Sequence, residues 1–366
     1  MRLYRITVGL KRPLRTSYGG STERCGLILE LRAPDAVSGY GEISPLPGYH
    51  STGLDRAAQL LDGASAEIQA MLSAGDPSQL LTNLSCSWPA ELRCGLEAAL
   101  MDIEGRRRRR SVSQLLSASP RRHIQVNALL SSDSPDDLMS EAAQAVSLGF
   151  ACLKVKVGAS PVMADVGRVA AVRQAVGAQI AIRIDANGGW DLDRAERALG
   201  LMAPLGIELA EQPLAADRMV ELAHLRRRSK IPLAADEGAY SAEAIERLVR
   251  LGAVDTIVLK TSRLGGIKPA LEVAATHSEA VDWLVASALE TSIGLAPAIH
   301  LAACLARLGG ACGLATAALL QADLTSSPLL AHDGIISVPQ GPGMGVEPDL
   351  LLTSAGRPAD VRSKTS

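Results

Sequence analysis

ACLKVKV at residues 151–157, IAIRIDA at 180–186, IELAEQ at 207–212, IPLAAD at 231–236 and TIVLK at 256–260 are short apolar runs whose charges gather toward their carboxyl ends. Amphipathic stretches separate them, and the runs recur at intervals of about 25–30 residues, the pattern of parallel strands joined by helices. Residues two apart on a strand share a face. Lys154 and Lys156 therefore face one way, as do Arg183, Asp185 and Asn187, while Leu153, Val155 and Val157 face the other.

Further runs extend the series in both directions: IQVNAL at 124–129, DWLVAS at 282–287 and GLATA at 313–317, which makes eight strands. The helix over 191–203 opens with Asp191 as its cap and stops before Pro204; another over 241–251 starts at Ser241. Eight such units predict an α/β fold, a closed (β/α)8-type barrel over 116–328. An open doubly wound sheet shares the local pattern, but no GxGxxG follows the early strands. Residues 1–115 read differently. Strand-like runs at 3–8 and 26–31 precede the turn-rich GYGEISPLPGYHSTG at 39–53, then helical patterns at 54–74 and 90–107. That order predicts an α+β capping domain. Residues 329–366 carry loop and short-strand character and are expected to return to that domain, with a polar, frayed end.

Of the 366 residues, 47% are hydrophobic and 21% charged, which permits a sizeable core and argues against global disorder. Three Trp, five Tyr and one Phe leave that core to aliphatic side chains. A net charge of −2 gives no electrostatic case for nucleic acid or a membrane surface, and the basic run 106–110 reads as a solvated helix end. No stretch approaches the roughly 18 unbroken apolar residues of a spanning helix. The N-terminal MRLYRITVGLKRPL alternates like a strand and lacks a signal-peptide centre, so a cytoplasmic protein is expected. The six cysteines form no CxxC pair and read as reduced core residues; the six histidines show no metal-binding spacing. Nothing in the sequence speaks to oligomeric state.

A barrel enzyme has its active site at the carboxyl ends of its strands. Asp185, Glu211 and Asp236 end three adjacent strands and offer the hard oxygen ligands that suit magnesium, or manganese. Lys154 and Lys156 precede this set and Lys260 follows it, so a small carboxylate substrate could lie between lysines. A neighbouring cation and a metal would lower the pKa of a lysine base. The alternative is an ion network in which lysines simply pair with the carboxylates. Removing a proton beside a carboxylate puts two negative charges on one group, and a dication with a lysine ammonium stabilises such a dianion where the charge develops.

Taken together, KVKVG (154–158), RIDANGGW (183–190), ELAEQPL (208–214), AADEG (234–238) and VLKTSRLGG (258–266) resemble the muconate-lactonizing subgroup of the enolase superfamily. YGEISPLPG (40–48) and GPGMGVEPD (341–349) extend the resemblance over nearly the whole chain. SALETSIGL (287–295) and GLATAAL (313–319) are most similar to the o-succinylbenzoate synthase family of menaquinone and phylloquinone biosynthesis. The resemblance implies dehydration of a cyclohexadiene carboxylate. Lys156 would be the general base, Lys154 its tuning partner and Lys260 the group that stabilises the enediolate from the opposite face. Asp185, Glu211 and Asp236 would bind magnesium. Arg183 and Asn187 would flank metal or substrate, with Ser287 as a further substrate contact. Residues 15–20 and 46–50 of the capping domain are expected to fold over the barrel mouth, with Tyr18 either a substrate contact or a packing residue. Gly238, Ala315 and Thr261 depart from residues frequent in relatives, without removing a charge.

The same two-lysine arrangement serves racemases and epimerases. Dipeptide epimerases of the subgroup place an Asp-x-Asp pair on strand eight, whereas residues 313–320 hold no acid and Asp323 is the first. N-succinylamino acid racemisation and muconate cycloisomerisation remain as alternatives, and a non-catalytic binding barrel is the reading from a different class.

Overall fold

Alternation along the first strands decides which layer each side chain enters. The computed structural model describes residues 1–16, 19–74 and 88–350. Strands β1 (Arg2–Thr16), β2 (Gly19–Arg32) and β3 (Ser38–Ile43) form an antiparallel sheet in that order. Leu3, Leu27, Leu29 and Leu31 face helices Leu54–Gly63, Ser65–Ala74 and Ala90–Arg108, packing with Leu61, Ile68, Leu92 and Ile103. Tyr4, Ile6, Val8, Leu10 and Ile28, of opposite parity, join the core that continues into the barrel. Both faces of the sheet are therefore buried. Gly41 makes one close approach possible: a Cβ there would lie 1.9 Å from the Gly95 carbonyl oxygen.

The first two strands run well past the expected 3–8 and 26–31, because their pairing continues, from Leu14 with Ser21 to Thr16 with Gly19, through a stretch with no apolar alternation. The stretch 54–74 is two helices rather than one, interrupted at Ala64.

Seven parallel strands follow: β5 (Ala128–Leu130), β6 (Cys152–Lys156), β7 (Ala181–Asp185), β8 (Ile207–Glu211), β9 (Leu233–Ala235), β10 (Thr256–Leu259) and β11 (Asp282–Val285), neighbours in sequence order. Leu209, Ala234, Val258, Leu284 and Ala286 form a separate cluster inside the curled sheet, while Val155, Ile184 and Leu259 face the helices. The helices at 191–203 and 241–251 are present, capped by Asp191 and Ser241.

The first and last expected strands need correction. The run 124–129 splits: β4 (His123–Gln125) pairs antiparallel with β12 (Ile335–Ser337), and only β5 enters the parallel sheet. The run 313–317 is not a strand. Cys312 and Gly313 make single bridges to Val126 and Ala286 that join the two edges of the sheet, after which the chain tightens into a 3₁₀ turn at Ala317–Leu319. A closing segment of two residues has no room for a strand pattern. Beyond β12 the chain reaches the first domain, where Met344 N donates to Asp102 Oδ1 at 2.8 Å.

Two buried glutamates of the first domain dock onto helix starts in the barrel. Glu97 accepts from Ile267 N, and from Lys268 N at 3.1 Å, at the start of helix Ile267–Thr276. Glu42 accepts from Thr291 N at 3.2 Å and Gly294 N at 3.0 Å at the start of helix Ser292–Cys304. Free amides at a helix start favour an acceptor of negative charge. No described helix is long and apolar enough to cross a membrane.

Burial pushes Glu97 up to about 7, against 4.5 for an ordinary glutamate. A carboxyl whose folded pKa exceeds its unfolded one contributes stability that is present below the unfolded value and lost as pH rises through the folded one. The wild type should therefore melt at lower temperature at pH 8 than at pH 5, and Glu97→Gln should show a smaller difference. Thermal melts at matched ionic strength check this; an identical pH dependence would refute it.

Candidate active site

The register of the sheet brings the charged residues to one level. Lys156 pairs with Asp185 across β6 and β7, and Asp185 with Glu211 across β7 and β8. Asp236 follows β9 and Lys260 follows β10. Lys154, Lys156, Asp185, Asp236 and Lys260 line one cavity, which the loop carrying Leu46 and Tyr49 from the first domain also reaches.

Within it, Lys154 Nζ lies 2.8 Å from Glu211 Oε1 and 3.2 Å from Asp185 Oδ2. Lys156 Nζ donates to Asp185 Oδ2 and Asn187 Oδ1, both at 2.7 Å. Lys260 Nζ donates to Asp236 Oδ2 at 2.6 Å and to the Tyr49 hydroxyl at 2.9 Å, and that hydroxyl donates to Asp236 Oδ1 at 2.9 Å. Each of the three lysines is thus paired with a carboxylate. Burial opposes the charge of Lys154 and Lys260, but Glu211 and Asp185 for the first, and Asp236 for the second, hold both above the ordinary value. Asp185 is the converse case, raised by burial yet carried below the usual carboxylate range by Lys156 and Lys154.

Among the described residues no three acidic, histidine or cysteine side chains converge as a closed ligand set. Like charges separate unless a cation stands between them, and here each carboxylate engages a lysine. The donor chemistry nevertheless suits a hard dication. Four buried carboxylates, Glu237 included, face three ammoniums, and Glu237 Oε2 is buried without a partner. Burial, with Asp236 and Asp185 nearby, pushes Glu237 up to about 7.

Asn187 joins the set. Its backbone takes a left-handed turn at φ 44°, and its Nδ2 donates to Glu237 Oε1 at 2.9 Å. Ser287 lines the cavity and bonds Thr316 Oγ1 at 2.6 Å. Arg183 does not flank the cavity: its guanidinium bonds Glu208 Oε2 at 2.5 Å and the Ala311 carbonyl at 2.6 Å, deeper in the sheet. It shares a face with Asp185, but lies two residues earlier, and its long side chain leads away from the strand end. Tyr18 lies outside the described residues.

Three contributors were given no role from the sequence, although two of them, Tyr49 and His50, lie in the segment 46–50 expected to fold over the barrel mouth. Tyr49 touches Lys260 across 211 positions of chain, and no local pattern announces it. His50 anchors the same loop: Nδ1 accepts from Leu46 N at 2.9 Å and Nε2 meets Ser262 Oγ at 3.1 Å. Burial and the Arg263 charge push it down to about 3, so the ring is neutral. Gln212 Oε1 accepts from Asp236 N at 3.0 Å and Gly238 N at 2.9 Å, holding the turn after β9.

A parallel sheet of this kind, with acids and lysines at its strand ends beneath an α+β cap, is the frame of a barrel enzyme with its site at the strand ends. Residues 1–117 match the Mandelate racemase / muconate lactonizing enzyme, N-terminal domain, and residues 137–351 match Enolase C-terminal domain-like. The chain belongs to the enolase superfamily, as an enzyme of its lyase and isomerase group. It is 36% identical over 330 residues to o-succinylbenzoate synthase of Thermobifida fusca (strain YX), covering 89% of this chain and 85% of that protein. It is 29% identical over 309 residues to N-succinyl-L-Arg/Lys racemase of Bacillus cereus, covering 82% and 83%. The muconate lactonizing enzyme from Pseudomonas fluorescens, solved with muconolactone, shares the fold with a TM-score of 0.90 at 27% identity over 95% of each chain.

Tyr49→Phe removes the hydroxyl between Lys260 and Asp236 and leaves the cavity shape intact. A hydrogen bond to a charged group contributes about 1.5–3 kcal/mol, so kcat should fall about tenfold or more with KM little changed. Steady-state kinetics read this, and an unchanged kcat would remove Tyr49 from the site.

Proposed function

We propose that this chain is an o-succinylbenzoate synthase, a dehydratase acting on a cyclohexadiene carboxylate that bears a hydroxyl and a succinyl group, in menaquinone or phylloquinone biosynthesis. The observation that carries the reading is the placement of Lys156 and Lys260 on the same cavity, from strands β6 and β10, with the acids of the intervening strands between them. Its 36% identity to the Thermobifida fusca synthase supports the substrate.

In this reading, Lys156 takes the proton α to the substrate carboxylate. The C–H electron pair moves into the carboxyl group as an enediolate, which the Lys260 ammonium stabilises from the other side. The enediolate then collapses, the C–O bond to the hydroxyl breaks, and Lys156 returns its proton so that water leaves. Lys154 stands beside Lys156 and shares Asp185 with it. Asp185, Glu211 and Asp236 would hold magnesium, or manganese, which when bound neutralises the second charge on the carboxyl group. Tyr49 and Asn187 orient Lys260 and Lys156.

A second reading has a specific basis. A lysine on each side of the cavity can remove a proton from one face and return it on the other, which is racemisation. The 29% identity to the Bacillus cereus racemase supports an N-succinylamino acid substrate. The absence of acids at 313–320 argues against a dipeptide ammonium.

Purified protein incubated with magnesium and either the cyclohexadiene acid or several N-succinyl amino acids separates the readings. Turnover of the former is expected; turnover of the latter alone would overturn the synthase assignment. In deuterated water, Lys156→Ala should reduce exchange at the α-carbon by at least about a hundredfold, and chelation of the metal should abolish it. Wild-type exchange in Lys156→Ala would show the base to be misassigned.

A further inference from the structure

Lys156 ends β6 at a point where its neighbour has already stopped pairing. The last register pair between β5 and β6 is Leu130 with Val155. On the other side the ladder continues, with Val157 N donating to Asp185 O at 2.9 Å. The Lys156 carbonyl accepts instead from a side chain, Arg168 Nη1 at 3.0 Å. Through Nη2 the same guanidinium donates to the Ser132 carbonyl at 2.8 Å, just beyond the end of β5. It bridges two strand ends that no longer bond each other.

Asp165, one turn earlier on helix Val162–Val176, completes the clamp. One oxygen accepts from Arg168 Nη1 at 3.1 Å and the other from Gly158 N at 2.8 Å. The backbone is thus held at the carbonyl of Lys156 and again at the amide of Gly158, where φ is +89°. Asp165 is fully buried and Arg168 is 7% exposed, yet Arg168 Nε has no partner. A buried ion pair with an unmet donor is a poor source of stability, because desolvation offsets much of the attraction. Neither side chain lines the cavity. What the pair does secure is position.

We propose that Asp165 and Arg168 are positioning residues for the general base, fixing the Lys156–Gly158 backbone so that Lys156 Nζ meets Asp185 and Asn187. This rests on the reading of Lys156 as the base. The side chain of Lys156 is long and flexible, so the site of its Cα decides which partners its ammonium reaches. Misplacement of a reacting group by about 1 Å can cost about a hundredfold in rate. The planar fork of arginine spans two carbonyls in a way a single ammonium does not.

The test is Arg168→Lys, which keeps a cation opposite Asp165. Glu97→Gln serves as a comparison that disturbs a buried interdomain contact away from β6. In a crystal structure of Arg168→Lys, Lys156 Nζ should lose Asp185 or Asn187. Its kcat should fall between about tenfold and a hundredfold with KM little changed, while Glu97→Gln should lower the melting temperature and leave kcat as it was. Asp165→Asn, nearly isosteric, provides the same readouts if Arg168→Lys does not fold. The inference is overturned if Lys156 keeps both contacts, or if kcat falls only in step with thermal stability. A displaced Lys156 in a protein whose wild type turns over none of the proposed substrates would sink the functional reading and leave the clamp standing.

Discussion

Opposite charges held in register at the strand ends are the constraint around which the molecule is arranged. Lys154, Asp185, Glu211, Asp236 and Glu237 are buried, and the Lys260 side chain is only 10% exposed. Burying any one of them alone would cost more than most domains have to spare. They are tolerable because each acid has a cation or an amide within reach, and because the parallel sheet places neighbouring strand ends at one level. The aliphatic cluster of Leu209, Val258 and Leu284 beneath them supplies an apolar floor, which keeps those interactions strong.

The first domain belongs to this arrangement rather than merely resting on it. Its sheet buries one face among its own helices and gives the other to the barrel core. Glu42 and Glu97 satisfy amides at the starts of two barrel helices, and helix Ser292–Cys304 follows the loop after β11 that carries Ser287. Tyr49 then delivers a hydroxyl to Lys260 and Asp236, while Arg263 packs over the Tyr49 ring at 4.4 Å. The first domain thus contributes part of the cavity lining, and loops so placed are natural determinants of which ligand fits.

Strand parity made much of the site legible before any fold was seen. Lys154 and Lys156, or Asp185 and Asn187, share a face because strand geometry permits nothing else, and five apolar runs ending in charge point to one mouth. Parity says which side a residue faces, but not how far along the axis its side chain travels. Arg183 shows the difference: it has the parity of Asp185, yet its guanidinium runs to Glu208. The eighth strand failed for another reason, since two residues bridging Val126 and Ala286 are too few to leave a periodic trace.

The amino-acid sequence by itself determined the α/β class, the alternation of strands and helices, and the acids and lysines at the strand ends, because these follow from short-range periodicity and from the cost of burying charge. Only the tertiary structure decided which ammonium meets which carboxylate, that Tyr49 reaches Lys260 and that Arg168 spans two strand ends. Those contacts join residues far apart in the chain, and nothing local encodes a distance that only packing sets.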